Sequence, residues 1–244
     1  MKRKYADLHV CPDLGNDGQV ARMIRKTSEL GYQLMAISLP QNLPEEKIRT
    51  LQDVCGECKI DFAPRVDLRP RTSNELIKSL RKLRRRFEII AVMCESKHIA
   101  RQAAKDRRVD LLSFPGHNRR RGFFDKAEAE LASNALACLE IDLKPLLTQG
   151  GRERIRLLSS LRREVATAVD FHVPVVVSSG ASNELLMRKP REAAALTSLF
   201  GLDEVSALEA VSKNPMAIVK RSREKLSTRF VAPGIRLIRR GKDC

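Results

Sequence analysis

Short runs of apolar residues alternate along the chain with longer stretches in which apolar residues recur every three or four positions. The runs predict buried β-strands and the stretches predict amphipathic helices. The seven predicted strands are Tyr5–Val10, Leu34–Leu39, Ile60–Val66, Ile89–Cys94, Val109–Phe114, Ala135–Ile141 and Val173–Ser178. The helices predicted between them are Asp17–Leu30, Pro44–Val54, Thr72–Leu83, Ser96–Asp106, Phe124–Ala132 and Arg152–Val169.

Strands that each lead into a helix or loop are the signature of a parallel sheet. A doubly wound open sheet would give the same alternation, but no Gly-rich nucleotide fingerprint follows the first strand. We therefore predict an α/β fold, an irregular TIM-like (βα) barrel of about seven parallel strands. Extra C-terminal helices are predicted at Glu192–Phe200, Asp203–Ser212 and Pro215–Arg223. We expect one domain over residues 1–230 and a basic tail over 231–244.

The balance of charge then narrows the function. The chain has 46 Lys and Arg against 30 Asp and Glu, a formal net charge of +16. Such a field attracts polyanions, and nucleic acid is the favoured partner because binding to phosphates releases counterions. An anionic membrane surface is the rival partner, and a merely solvated basic surface is the bland alternative. Since the sequence has no long apolar run and no signal-like start, we expect no membrane partner and a cytoplasmic location.

The positive charge is concentrated in one quarter of the chain. Residues 65–126 hold 18 Lys and Arg but only 7 Asp and Glu, and they include the triplets Arg84–Arg86 and Arg119–Arg121. These cations repel one another unless a polyanion is present, which favours a nucleic-acid contact. Aromatic residues make up only 4% of the chain, so we expect contacts with the phosphate–ribose backbone of structured RNA rather than base stacking. Composition alone does not separate RNA from DNA.

A catalytic site is harder to find. Asp7-Leu8-His9-Val10-Cys11 resembles the opening of the PHP phosphoesterases, barrels that hold a metal cluster with histidines at strand ends. Cys11 stands where that motif has its second histidine, and the whole chain has only four His. Such a cluster needs several His and carboxylates at one mouth. We predict no metal, no cofactor and no catalytic residue, and keep a metal-dependent PHP-type phosphoesterase as the alternative.

Two smaller motifs have alternative explanations. Ser179 and Gly180 follow the seventh strand, where many barrels bind phosphate through loop amides. They are candidate phosphate ligands, and a sugar-phosphate enzyme with Asp67 or Glu95 as base is a third hypothesis. We slightly favour a tight turn in which Gly180 has a positive φ. The lone CxxC of residues 55–58 has no second ligand pair and ends a helix, so neither a zinc nor a redox role is expected.

Five features taken together resemble the ribonuclease P protein component 3 family of archaea and eukaryotes, across about residues 1–225. They are Tyr5-Ala6-Asp7-Leu8-His9; Arg65-Val66-Asp67-Leu68; Leu112-Ser113-Phe114-Pro115 followed by basic residues and Phe123-Phe124-Asp125; Val177-Ser178-Ser179-Gly180-Ala181; and Asn214-Pro215. The family is a degenerate relative of the PHP barrels, in keeping with the half-kept motif at Asp7 and His9.

The resemblance implies an accessory RNA-binding subunit of the enzyme that removes the 5′ leader of precursor tRNA. The RNA subunit would carry the catalytic magnesium ions. Ribonuclease P RNA, the small component 2 subunit and other protein subunits would be the partners, with precursor tRNA contacted indirectly and an archaeal source expected. By position in the family, the implied RNA contacts are Arg107, Arg108, His117, Arg119, Arg120, Arg121 and Lys126, followed by Arg84, Arg85 and Arg86.

Overall fold

Seven strands form one parallel sheet in simple chain order in the computed structural model, which describes residues 3–115, 124–228, 230–232 and 235–236. The strands are β1 (Ala6–Val10), β2 (Leu34–Ser38), β3 (Asp61–Leu68), β4 (Ile89–Met93), β5 (Leu111–Ser113), β6 (Cys138–Asp142) and β7 (Val175–Ser178). All seven predicted strands are confirmed, each within a few residues of its predicted bounds. The sheet curls round until Val10 bridges Ala181 just beyond β7, so the structure is a nearly closed barrel.

The helices follow the predicted order. They are α1 (Asp17–Glu29), α2 (Glu45–Glu57), α3 (Ser73–Leu83), α4 (Lys97–Ala104), α5 (Lys126–Ala135), α6 (Lys144–Thr148), α7 (Gly151–Asp170), α8 (Pro190–Leu196), α9 (Glu204–Ala210) and α10 (Lys213–Leu226). Helix α6 and the 3-10 helix Glu184–Leu186 were not predicted, because elements this short show no helical periodicity. The stretch predicted as Glu192–Phe200 divides into α8 and the 3-10 helix Thr197–Phe200.

Local hydrogen bonds explain where two of these helices begin. The Thr72 hydroxyl accepts from the backbone N–H of Glu75 at the start of α3. The Glu75 carboxylate, however, accepts from the backbone N–H of Arg71 instead of Thr72, so only half of a capping box forms. A complete box begins α5, where Asp125 and Glu128 cap each other's backbone N–H groups.

The barrel has two apolar layers, one inside the strands and one between strands and helices. The inner cluster is made of small and aliphatic side chains such as Ala36, Ala63 and Leu111, and it includes Ile218 and Val219 of α10. Helix α10 crosses the amino-terminal ends of the strands, where Asn214 donates to the Val175 carbonyl oxygen at the start of β7. Late helices therefore close the base of the barrel, an arrangement the sequence left open.

The end of the chain adds a short antiparallel pair, β8 (Phe230–Ala232) with β9 (Ile235–Arg236). Most of the predicted basic tail, residues 237–244, lies outside the described part of the chain. The division at residue 230 therefore stays a prediction. Among the described helices, none has the combination of length and apolar character needed to cross a membrane.

Candidate nucleic-acid interface and the barrel mouth

A β-bulge in β1 directs His9 into the carboxyl-terminal mouth of the barrel. Asp7 pairs with Met35 but Val10 pairs with Ile37, so two residues, Leu8 and His9, face the single residue between these partners on β2. A bulge of this kind re-aims a side chain that strict alternation would point the other way. His9 thereby reaches the ends of β3 and β6.

Arg65 occupies the centre of this mouth and is fully buried. Its Nη1 and Nη2 donate to the two carboxylate oxygens of Glu140 at 2.5 and 2.6 Å, and its Nε donates to Asp67 at 2.8 Å. Nη1 also donates to the Leu8 carbonyl oxygen at 2.7 Å. The ionised forms of Arg65 and Asp67 stabilise each other, and although burial works against ionisation, Arg65 holds the pKa of Asp67 well below its ordinary value.

His9 completes the network as a cation. Its Nδ1 lies 2.8 and 2.9 Å from the two carboxylate oxygens of Asp142, and its Nε2 lies 3.3 Å from Asp67. Burial and the charge of Arg65 oppose protonation of the ring, but the two carboxylates outweigh them and raise the pKa of His9 well above its ordinary value. We call Arg65, Glu140, Asp67, His9 and Asp142 the mouth network.

The mouth network also bears on the metal-enzyme alternative. His9, Glu140 and Asp142 each offer a ligand atom, and these atoms lie within 4.8 Å of one another, a spacing that suits a metal ion. Both oxygens of Glu140, however, already accept from Arg65, whose fixed positive charge would repel a metal ion at this position. An arginine thus supplies the positive charge at this mouth, which does not favour the PHP-type alternative.

Ser179 and Gly180 form a tight turn beside the same mouth. The Ser179 amide donates to Asp7 at 3.0 Å and its hydroxyl donates to the His9 carbonyl oxygen at 3.2 Å, so both groups are engaged within the fold. Gly180 has a φ of +59°, and a Cβ there would lie 3.0 Å from Cγ of Asp142. The predicted positive φ of Gly180 is confirmed, and the neighbouring carboxylates do not favour a phosphate ligand.

Neither carboxylate of the sugar-phosphate hypothesis gains support as a general base. The lowered pKa of Asp67 makes its carboxylate a weak base, and Ser38 and His9 contact the Asp67 oxygen atom that Arg65 does not. Glu95 is exposed and follows β4 in a loop.

The CxxC is placed as predicted, with Cys55 inside α2 and Cys58 at its end, and burial raises the pKa of the Cys55 thiol to about 12. Such a thiol is a poor nucleophile at neutral pH.

The basic residues predicted to contact RNA have different surroundings. Arg84 is drawn into the fold, because its guanidinium donates to the buried carboxylate of Asp110, to the Glu88 carbonyl oxygen and to the Ser222 hydroxyl. These bonds tie α3 to β5 and α10. The Arg86 side chain extends over the Phe87 ring, and its Nη1 donates to the Gln41 carbonyl oxygen at 2.8 Å.

A groove at the base of the barrel collects the remaining cations of that region. It has a volume of about 730 Å³, and its basic lining is Arg84, Arg85, Arg107, Arg108 and Lys225. Phe230 of β8 is also in its lining. Lys225 and Phe230 were missed by the sequence analysis, because only the path of α10 and β8 brings them beside residues more than a hundred positions earlier. We call this feature the basal groove.

The cations of the basal groove are crowded. Burial lowers the pKa of Lys225, and the charges of Arg221, Arg84 and Arg107 lower it further, with only Asp110 opposing them. Arg85 and Arg107 are exposed, and neither has an ion-pair partner among the described residues. Arg108 is paired with Asp106 at 2.6 Å and keeps about a third of its side chain exposed. The groove therefore has a positive electrostatic potential, and a bound anion would reduce the repulsion among its cations.

The other predicted contacts lie elsewhere. Lys126 is exposed at the start of α5, at the carboxyl-terminal end of the barrel and therefore opposite the basal groove. His117 and Arg119–Arg121 lie outside the described residues. Phe124 is buried in the core, with its ring centroid 5.7 Å from that of Phe114.

Fold and site together define a (βα) barrel whose mouth is filled by ion pairs and whose base is strongly basic. The family model of the RNase P subunit p30 matches residues 4–227. Ribonuclease P protein component 3 of Methanosarcina acetivorans is 32% identical over 224 residues, covering 91% of each chain. The protein of the same name from Methanosarcina barkeri is 29% identical over 229 residues, again covering 91% of each.

The fold comparison agrees. A chain in the cryo-EM structure of archaeal ribonuclease P with mature tRNA superposes with a TM-score of 0.84 at 23% identity, covering 98% of this chain and all of that one. A putative prolidase from Bifidobacterium longum has a TM-score of only 0.56 at 11% identity. The chain belongs to the RNase P subunit p30 family. It is an accessory protein subunit of ribonuclease P, the endoribonuclease that matures the 5′ end of tRNA, as the sequence resemblance implied.

Proposed function

We propose that this subunit contacts the RNA of ribonuclease P through the basal groove and takes no direct part in the chemistry. The observation that carries the proposal is the convergence of Arg85, Arg107, Arg108 and Lys225 from three separate segments on one groove, whose described lining residues include no acidic side chain. Guanidinium groups hold phosphate oxygens in a bidentate way, so such a surface suits an RNA backbone.

The proposal assigns the mouth network a structural role. Arg65 already neutralises Glu140, and its bonds to Leu8 and Glu140 join β3 to β1 and β6. Both oxygens of Glu140 accept from Arg65, so this carboxylate is engaged within the fold rather than free to act as a base. Component 2 is the protein partner that the family resemblance suggests, and His117, Arg119–Arg121 and Lys126 stay predicted RNA contacts at the opposite end of the barrel.

The first test is cleavage of precursor tRNA at low magnesium by the catalytic RNA and the other protein subunits, with and without this chain. We expect cleavage to rise when the chain is added. The chain alone with magnesium, manganese or zinc should show no turnover. Hydrolysis of a phosphoester by the protein alone with added metal would refute the non-catalytic role and return His9 to the list of ligands.

The second test separates the groove from general charge. The triple variant Arg85→Ala, Arg107→Ala and Lys225→Ala should lower the affinity for ribonuclease P RNA. It should also reduce the slope of log K against log salt by roughly 2–3, since each lost phosphate contact removes 0.7–0.9. A matched control is Arg22→Ala, Lys26→Ala and Lys47→Ala, which removes the same charge from cations paired to Glu184, Glu29 and Asp17. Equal effects of both triples would contradict a specific groove.

A further inference from the structure

Helix α7 extends beyond the barrel. It has 20 residues, so it is about 30 Å long, whereas a five-residue strand spans only about 16 Å. The first six residues, 151–156, are all exposed, and the fully buried positions begin only at Ser160. The first turns of α7 thus stand free of the fold at the carboxyl-terminal end of the barrel, on the side away from the basal groove.

This helix carries a row of arginines on its outer side. Arg152, Arg156 and Arg163 are separated by four and seven residues, which places them within about 40° of one another around the helix and along about 16 Å of its length. The buried residues Leu161, Val165 and Ala168 lie on the opposite side. We call Arg152, Arg156 and Arg163 the α7 stripe.

The stripe does little for the fold itself. Residues 152–163 contain five Arg and a single acidic residue, Glu153. Within the described part of the chain, Arg152 and Arg156 form no ion pair, and Arg163 donates from Nε only to the Ser159 carbonyl oxygen of its own helix. Cations near the start of a helix are also opposed by the helix dipole. These arginines therefore contribute little to the stability of the fold and are available to bind a group outside the chain.

Arg163, at the carboxyl-terminal end of the stripe, lies near Lys126, a residue already expected to contact RNA. Arg163 and Lys126 both line a groove of about 410 Å³ between α5 and α7. The lining of that groove also includes Glu164 and Asp125, and Asp125 is paired with Lys97. Arginines still outnumber acidic residues five to one over residues 152–163, and an exposed row of this kind complements a run of phosphates rather than an apolar or basic protein surface.

We propose that the α7 stripe is a second RNA-binding surface, so that the subunit bridges two segments of its RNA from opposite ends of the barrel. This inference rests on the proposed function and adds a second contact to it. Arg152 and Arg156 project past one end of the strands while the basal groove lies at the other, at least about 16 Å away along the barrel axis. One phosphate group cannot reach both surfaces, so their contributions to binding are independent.

The experiment measures binding of ribonuclease P RNA, transcribed in vitro, as a function of salt. The variants are the stripe triple Arg152→Ala, Arg156→Ala and Arg163→Ala, the groove triple, the two combined, and the control triple on α1 and α2. The stripe side chains are exposed, so the variant should fold, which circular dichroism checks. We expect the stripe triple to reduce the salt slope by roughly 2–3 and the combined variant to lose the sum of both reductions.

The outcomes separate the two proposals. A stripe triple that binds like the control, beside a weakened groove triple, overturns the second surface and leaves the groove intact. A combined variant no weaker than either triple overturns bridging, because the two surfaces would then serve one contact. If RNA binding by the wild-type protein shows no salt dependence, the proposed RNA-binding function itself is refuted.

Discussion

Removal of the Arg65 guanidinium is the most direct test of the mouth network. In Arg65→Met the side chain keeps much of its volume, but Glu140 loses both of its charged donors and Asp67 loses one. Glu140 is fully buried, so water cannot replace them, and only the Ser178 hydroxyl at 2.8 Å remains. Breaking a buried pair by removing one partner costs about 3–5 kcal/mol.

This cost is large enough to measure by thermal unfolding. A chain of 244 residues has an unfolding entropy of about 0.5 kcal/mol per kelvin, so the expected loss corresponds to a fall in Tm of roughly 6–10 °C. Far-UV circular dichroism at neutral pH would follow it.

The matched control is the double variant Arg65→Met and Glu140→Leu. It removes both charges of the pair and leaves Asp67 with Ser38 and His9 as partners. Replacing a buried pair by apolar residues is often neutral, so the double variant should recover more than half of the lost stability. A single variant within about 1 kcal/mol of wild type, or a double variant less stable than the single, would refute the reasoning.

Three further predictions follow from the described contacts. Folding raises the pKa of His9, so its stabilising contribution is complete below pH 6.5 and is lost as the pH rises through the pKa of the folded state. Urea titrations at several pH values should show this loss of stability, and the pH dependence should disappear in His9→Asn. Gly180→Ala should destabilise the fold by about 1–3 kcal/mol, more than Gly31→Ala, since only the Gly180 Cβ would meet a side chain, that of Asp142. Cys55 should resist alkylation in the native protein and react on unfolding, as mass spectrometry would show.

The periodicity of apolar residues by itself determined the order of strands and helices, whereas the choice of a barrel over a doubly wound sheet also used the absence of a Gly-rich fingerprint after the first strand. Each strand is buried on both faces and each helix on one. Short continuous apolar runs therefore alternate with amphipathic stretches along the sequence. The excess of cations over residues 65–126, and the motifs at residues 5–9, 65–68 and 177–181, were enough to indicate an RNA-binding relative of ribonuclease P protein component 3.

The role of each individual charge was decided only by the tertiary structure. Arg84 and Arg85 are neighbours in one triplet, yet the first is half-buried and paired with Asp110 while the second faces the solvent, because consecutive positions at a helix end point in different directions. Glu140 in an apolar strand was a visible signal of a buried pair, but its partner Arg65 lies 75 residues away. Closure of the barrel brings such distant residues together, and no local pattern records which cation it buries and which it leaves exposed to solvent.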